Sequence, residues 1–275
     1  MTTAKERIDV LLVERGYFDS RVKAKAALMA GLVLVNDEPV DKGGMKVARD
    51  ADIKVKGALH PYVSRGGLKL EKAIRTFGID MTGQVMLDIG ASTGGFTDCA
   101  LQNGASYVYA IDVGYNQLDW TLRQDDRVKV MERTNFRYMQ PENLDGPRPT
   151  FATIDVSFIS LKLILPALAG LLQQGSGTVA LIKPQFEAGR EKVGKSGVVR
   201  DSNVHEEVLR QVLTFAAESG YKLEALTFSP ITGGEGNIEF LAYWIWEGEP
   251  SSAPAELDDI VPAVVKQAAD TFSSR

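Results

Sequence analysis

The chain has 275 residues, 44% of them hydrophobic, which is long enough for two domains and too apolar for a disordered protein. One cysteine, Cys99, and two histidines, His60 and His205, exclude a disulfide framework and a thiolate or multi-histidine metal centre, and they suit a reducing, cytoplasmic setting. The net charge of −5 is unevenly placed: residues 1–65 carry a balance of +3 and the remainder −8, so the basic part is the better candidate for a polyanion partner.

In chain order, charges interrupt the opening MTTAKERIDVLLVERG every few positions, which predicts no signal peptide, and no run of about 18 apolar residues follows to span a membrane. Arg7 to Gly16 predicts a short helix with Ile8, Leu11 and Leu12 on one stripe and a glycine stop. Asp19-Ser20 offers an N-cap for a second helix, RVKAKAALMAG, stopped by Gly31. LVLVN reads as a buried strand, Asp37-Glu38-Pro39 as a turn and ADIKVKG as an alternating strand. Arg7, Arg15, Arg21, Lys23 and Lys25 are the candidate RNA-binding side chains, and a plain solvated face is the competing explanation for them.

Three stretches of this region, R-x-D-x-x-L at 7–12, SRVKAKAALMAG at 20–31 and V-x-V-N at 33–36, resemble the S4 RNA-binding domain. The resemblance implies recognition of structured RNA by shape and backbone contacts. A small interaction module of another kind is the alternative.

After ALHPYVSRGG, Leu68 to Phe77 predicts a helix. Apolar strand-like runs then alternate with helical stretches: VMLDIG, 93–103, YVYAIDV, 116–124, VKVME, FATIDVSF, 161–173, TVALIKP and 203–219. Such a βαβ series calls for a mainly parallel sheet with helices on both faces. The closing strands, 223–229 and 239–246, have no helix between them and predict an antiparallel hairpin. EGEPSSAPAE reads as a polar linker, and about 255–272 as a helix with Pro262 near its start. The expected class is therefore α/β: a Rossmann-like, seven-stranded domain over 67–247, preceded by a small α+β domain over 1–60 and a linker at 61–66, and followed by a linker and helix over 248–275.

VMLDIGASTGGFTD is a strand, a glycine turn and a helix start, as at the ligand edge of a parallel sheet. Its glycines, Gly90, Gly94 and Gly95, depart from G-x-G-x-x-G and lack the Gly-Lys-Ser/Thr of a phosphate cradle. Asp88 would repel a pyrophosphate but suits the ammonium and sulfonium of S-adenosylmethionine. Asp112, ending the next strand, fits a ribose diol, and Asn135 is a weaker candidate near the adenine. Ala91 and Phe96 complete the predicted cofactor turn. Both aspartates and Asn135 have a bland alternative as turn or helix caps. A nicotinamide-dependent dehydrogenase is a rival that Asp88 and the glycine spacing disfavour.

Asp155-Val-Ser-Phe resembles loosely the tetrad of amino-group methyltransferases. Lys183, at the end of the fifth strand, instead fits activation of a ribose hydroxyl. A lysine can do that as a base only with its pKa lowered, by burial or a neighbouring cation such as Lys69. Glu239 could orient the pair. In order and context, Lys69, Asp155, Lys183 and Glu239 match the tetrad of the FtsJ-type ribose 2′-O-methyltransferases. Together with SRGGLKL, AIDVGYNQL, IKPQFEAGR, GVVRD and GNIEFL they make the chain resemble the TlyA family to about residue 246. That resemblance implies S-adenosylmethionine contacts around Asp88, Gly90, Gly94, Gly95 and Asp112, and methylation of cytidine 2′-hydroxyls in ribosomal RNA, naked or in subunits. It implies no membrane partner and fixes no oligomeric state. The alternatives are a base-methylating enzyme, an RNA-binding module without catalysis, and a pore-forming haemolysin, for which no span or strongly amphipathic cationic helix is present in the sequence.

Overall fold

The computed structural model describes residues 5–15, 17–18, 20–55 and 60–273. The stop expected at Gly16, the Asp19 part of the expected N-cap and the end of the ADIKVKG strand lie outside them. The chain divides into two units, Met1–Pro61 and Tyr62–Arg275.

The first unit contains β1 (Lys5–Arg7), α1 (Ile8–Glu14), α2 (Arg21–Met29), β2 (Val33–Val35), β3 (Glu38–Pro39), β4 (Lys46–Ala48) and β5 (Ile53–Val55). Ser20 caps α2, its Oγ accepting the Lys23 N–H at 3.3 Å. Strands β3, β2 and β5 form one antiparallel sheet, and β1 pairs with β4 in a separate ribbon. Ile8, Leu11 and Leu12 of α1 pack with Ala24 and Leu28 of α2 and with Val33, Val35 and Ile53 of the sheet. The turn expected at Asp37-Glu38-Pro39 sits one residue earlier. Asn36 and Asp37 take positive φ values of 52° and 66°, and Glu38–Pro39 pairs with β2. An edge strand tolerates the proline's missing N–H, so the residue that signalled a turn is a strand residue here.

The second unit contains α3 (Gly67–Phe77), β6 (Val85–Ile89), α4 (Gly95–Gln102), β7 (Tyr107–Ile111), α5 (Trp120–Arg123), β8 (Val128–Met131), β9 (Phe151–Ile154), α6 (Leu165–Ala169), β10 (Gly177–Ile182), α7 (Pro184–Glu187), α8 (Ser202–Glu218), β11 (Tyr221–Phe228), β12 (Phe240–Trp246) and α9 (Leu257–Ser273). The sheet order is β11-β12-β10-β9-β6-β7-β8. Strands β6 to β10 are parallel, and β12 runs antiparallel between β10 and β11. Alternation along the strands divides the core. Leu87, Ile89, Ile154 and Ile182 pack with Leu209 of α8 and Val261 of α9. Met86, Val108 and Leu181 pack with Leu70 of α3 and Cys99 of α4.

Three expectations change here. The helix expected at 116–124 shrinks to α5, because the Glu132 carboxylate accepts the backbone N–H groups of Asn116, Gln117 and Leu118 and draws them out of a helical path. The stretch 161–173 breaks into a 3₁₀ turn at Leu161–Leu163 and the short α6. Residues 62–66, expected within a linker, pack into the unit: Tyr62 is buried and its hydroxyl donates to Glu71 Oε1 at 2.9 Å, while Asp98 accepts the Val63 N–H at 2.8 Å. Pro262 lies inside α9 without ending it, and α9 covers one face of the sheet. No helix among the described residues is long and apolar enough to cross a membrane.

Candidate active site

Sheet register brings the four distant residues of the expected tetrad to one edge. Ile182 of β10 pairs with Phe240 of β12, and Ala180 pairs with Ile154 of β9. The residues just past these pairs are Lys183, Glu239 and Asp155, at the carboxyl ends of the parallel strands where α/β sheets bind ligands. Lys69 enters from the first turn of α3.

The four side chains form one chain of contacts. Lys183 Nζ lies 2.5 Å from Asp155 Oδ1, and Lys69 Nζ lies 3.3 Å from Asp155 Oδ2 and 2.8 Å from Glu239 Oε2. Lys183 also donates to Ser157 Oγ at 3.1 Å. Lys69, Lys183 and Glu239 are buried. Gly233 makes room for the last of them, since a Cβ there would stand 2.1 Å from Glu239 Oε1. Burial pushes the Asp155 carboxyl up, but the two lysine charges outweigh it and hold the group below the usual carboxylate range. Burial likewise disfavours the Lys69 ammonium, and Asp155 and Glu239 reverse that, leaving it above an ordinary lysine.

This order differs from the expectation that Lys69 stands beside Lys183 as a cation. Asp155 spans the two lysines, and Glu239 contacts Lys69 rather than orienting both. Two positive and two negative groups alternate, which lets Lys69, Lys183 and Glu239 be buried beside the half-buried Asp155 without a net charge.

Lys69, Asp155, Lys183 and Glu239 line a cavity of about 640 Å³, a size suited to a small-molecule ligand. Gly90, Ala91, Ser92, Gly95 and Phe96 line it from the opposite loop. Gly90 has a φ of 86°, and a Cβ on it would stand 2.5 Å from the Asp155 carbonyl oxygen. Glycine is required there for both reasons. Gly94 does not line the cavity; its φ is 99° and its missing side chain admits Leu122.

Asp112 ties this loop to the end of β7, Oδ2 accepting the Ser92 N–H at 2.8 Å and Oδ1 the Gly114 N–H at 2.7 Å. A carboxylate has about four lone-pair sites, so capacity for further donors remains, but neither Asp112 nor Asn135 lines the cavity. Asp88 is placed differently. It shares a strand face with Met86, is fully buried, and does not line the cavity. Its oxygens accept the hydroxyls of Thr97 at 2.6 Å and Thr153 at 3.0 Å. Burial outweighs those hydrogen bonds and pushes its pKa up to about 6. Asn135 caps a 3₁₀ turn, accepting the Arg137 N–H at 3.2 Å, which is its bland alternative.

In the first unit, Asp9 is fully buried and gathers three of the expected RNA-binding side chains. Arg7 Nε is 2.9 Å from its Oδ1, while Arg21 Nη2 and Lys25 Nζ are 2.9 Å and 3.9 Å from its Oδ2. The hydrogen bond from Arg7 holds the Asp9 carboxyl below the usual range despite burial. Arg15 instead donates to the carbonyls of Ala51, at 2.8 Å, and Arg49, a structural use. Lys23 is exposed on α2.

Sequence reasoning missed Phe158, Gln185 and Phe186, which also line the cavity. Phe158 is 90% exposed with a φ of 63°, and its ring centroid lies 4.9 Å from that of Phe186. The residue types D-V-S-F were visible, but the left-handed backbone that turns the ring outward was not.

Residues 62–245 match the family model for FtsJ-like methyltransferases, and residues 6–53 match that for the S4 domain. The chain is 57% identical over 275 residues to YqxC of Bacillus subtilis, provisionally named an rRNA methyltransferase, covering 100% of this chain and 98% of that one. It is 38% identical over 264 residues to TlyA of Mycobacterium tuberculosis, named a 16S/23S rRNA (cytidine-2′-O)-methyltransferase, covering 96% and 98% of the two chains. A solved Streptococcus thermophilus structure, provisionally named a hemolysin, superposes with a TM-score of 0.78 at 52% identity over 99% of this chain and 98% of its own. With an S4 domain ahead of an FtsJ-like methyltransferase domain and full-length similarity to such proteins, the chain belongs to the TlyA family.

Proposed function

We propose that this methyltransferase transfers the methyl group of S-adenosylmethionine to the ribose 2′-hydroxyl of a cytidine in ribosomal RNA, with cytoplasmic ribosomal RNA or subunits as its partners. The observation that carries this reading is the buried chain Lys183–Asp155–Lys69–Glu239 at one wall of a cavity whose other wall is the glycine loop. S-adenosylmethionine, when bound, supplies an electrophilic methyl group. The fit rests on the cavity's size and on the close approach of the glycine loop at Gly90.

A ribose hydroxyl is a weak nucleophile until its proton leaves. Lys183 is the group that meets it, taking the proton as a neutral amine or, as an ammonium, holding the developing oxyanion while the oxygen–carbon bond forms and the methyl–sulfur bond breaks. Asp155 fixes the Lys183 ammonium nitrogen, and Ser157 gives it a second direction. Lys69, held in turn by Glu239, joins Lys183 in keeping Asp155 ionised and in place. Much of the acceleration comes from holding acceptor and donor along one line. Asp88 supports the loop from beneath through Thr97 and Thr153 instead of touching a ligand. Arg7, Arg21, Lys23 and Lys25 provide the cationic surface for the RNA backbone.

The test is nucleoside mass spectrometry of ribosomal RNA from cells with and without the protein, alongside tritium transfer from labelled S-adenosylmethionine to subunits by the pure enzyme. A 2′-O-methylcytidine that vanishes with the protein is the expected result. A methyl group found on a base amine instead would replace this reading with base methylation.

A further inference from the structure

Residues 193–201 run as irregular backbone between a 3₁₀ turn at Arg190–Lys192 and the start of α8. Val193 and Gly197 of this stretch line the active-site cavity, as do Gly233, Asn237 and Glu239 from the loop that leads into β12. Irregular backbone has no ladder to fix it, so its place in a wall depends on side chains that hook its amide groups.

Two side chains hook one residue here. Val199 is buried; its N–H donates to Asn237 Oδ1 at 3.1 Å, and its carbonyl oxygen lies 3.1 Å from His205 Nε2. A carbonyl only accepts, so His205 carries a proton on Nε2. Asn237 is itself buried, and its Nδ2 donates to the carbonyls of Gly197 at 2.9 Å and Gly234 at 3.1 Å. Its amide group is thus committed to the two segments it joins. The His205 ring stands edge-on to that of Phe240, with centroids 5.5 Å apart.

These contacts close a circuit. It runs from His205 through Val199 to Asn237, along the backbone past Ile238 and Glu239 to Phe240, and back to His205. Glu239 lies inside that circuit, where its carboxylate holds Lys69 at 2.8 Å and its carbonyl accepts the Ser229 N–H at 2.8 Å. The irregular wall and the last carboxylate of the tetrad therefore share one frame. A transfer along one line is sensitive to displacements of about 1 Å, even when they start away from the reacting atoms. We propose that Asn237 and His205 are positioning residues for methyl transfer, clamping Val199 from both sides so that the 193–199 wall and Glu239 keep one geometry. Both act at one remove from the reacting groups, and the inference rests on the 2′-O-methylation reading above.

The test uses the full-length enzyme, S-adenosylmethionine and ribosomal subunits from cells lacking the protein. Asn237→Ala removes the hook on the Val199 N–H. His205→Phe keeps a ring against Phe240 and removes the donor to the Val199 carbonyl, whereas His205→Gln supplies an amide donor in its place. Single-turnover rates on pre-bound subunits are divided by the number of S-adenosylmethionine sites counted by calorimetry, so a lowered folded fraction drops out. Asn237→Ala and His205→Phe should each slow transfer by about tenfold, the factor for one buried hydrogen bond, with the Kd for S-adenosylmethionine unchanged. His205→Gln should recover most of the wild-type rate. Combining Asn237→Ala with His205→Phe should slow transfer little beyond the slower single variant, because both act on Val199. Unchanged rates per site in both single variants would overturn the proposal, as would a loss confined to S-adenosylmethionine affinity or losses that multiply in the double variant. A wild-type enzyme that makes no 2′-O-methyl nucleoside at all would instead overturn the reading beneath it.

Discussion

Each unit of the protein builds a charge network around an aspartate, and the two networks are opposites. Asp9 is a fully buried anion with three cations at its rim, whose side chains are 41% (Arg7), 52% (Arg21) and 52% (Lys25) exposed. Asp155 sits between two buried lysines whose other charge is matched by Glu239. The first network presents a net positive face to water and can exchange its counterions for phosphates. The second is neutral and shielded, where a small movement of one proton has a large energetic effect. On the proposed reading, a cation is a handle in one unit and a reagent in the other, and its surroundings decide which.

The largest expected effect comes from Lys183→Ala, which should lower methyl transfer to subunits by about 10³-fold, the scale of a lost acid–base group. Lys183→Arg should not restore it, because a guanidinium does not give up its proton. Single-turnover rates on pre-bound subunits measure this, and near-normal turnover by either variant would break the contrast at its reagent end.

Asp9→Asn tests the handle end. Losing the buried anion leaves Arg7, Arg21 and Lys25 repelling one another, which should lower the stability of the first unit. Denaturant unfolding should show this loss, and an unchanged midpoint would mean that Asp9 organises nothing.

Asp88 sharpens the comparison as a buried carboxylate with no cation. Its folded pKa of about 6 lies above the ordinary carboxylate value, so the native state holds a proton that the unfolded chain has released. The stability it contributes is complete below about pH 4 and is lost as pH rises through about 6. Asp88→Asn should remove that slope, gaining about 3 kcal/mol relative to wild type between those limits. Melting temperatures measured across the window decide the matter, and parallel curves would contradict the assignment.

Smaller changes follow. Lys23→Gln with Lys25→Gln leaves Asp9 its two arginines and should weaken RNA binding, lowering the salt slope of log Kd by about 2. Asn135→Ala should cost about 1 kcal/mol as a lost cap, with S-adenosylmethionine affinity intact. A large loss of that affinity would instead make Asn135 part of the cofactor site.

The parallel sheet and its flanking helices were readable because buried strands and amphipathic helices leave periodic patterns over many residues. The ribbon β1–β4 was not, since three-residue strands such as Lys5–Arg7 show no period. The tetrad was legible through resemblance, but its order of contact was not. That order depends on the register of β10 with β12, which no local spacing encodes. Asp88 stands two residues from Gly90, but the alternation that buries Met86 buries it too, and that was not weighed from the motif alone. Gln185 left no signal, since which side chains line a cavity is decided only once the fold has closed around it.

The tight fit between Gly90 and the main chain of Asp155 joins two tasks at one point of the backbone. A single added methyl at position 90 would press on the carbonyl of the residue that steadies Lys183. The glycine loop and the end of β9 are therefore packed as one part, and neither backbone has room to shift without disturbing the other.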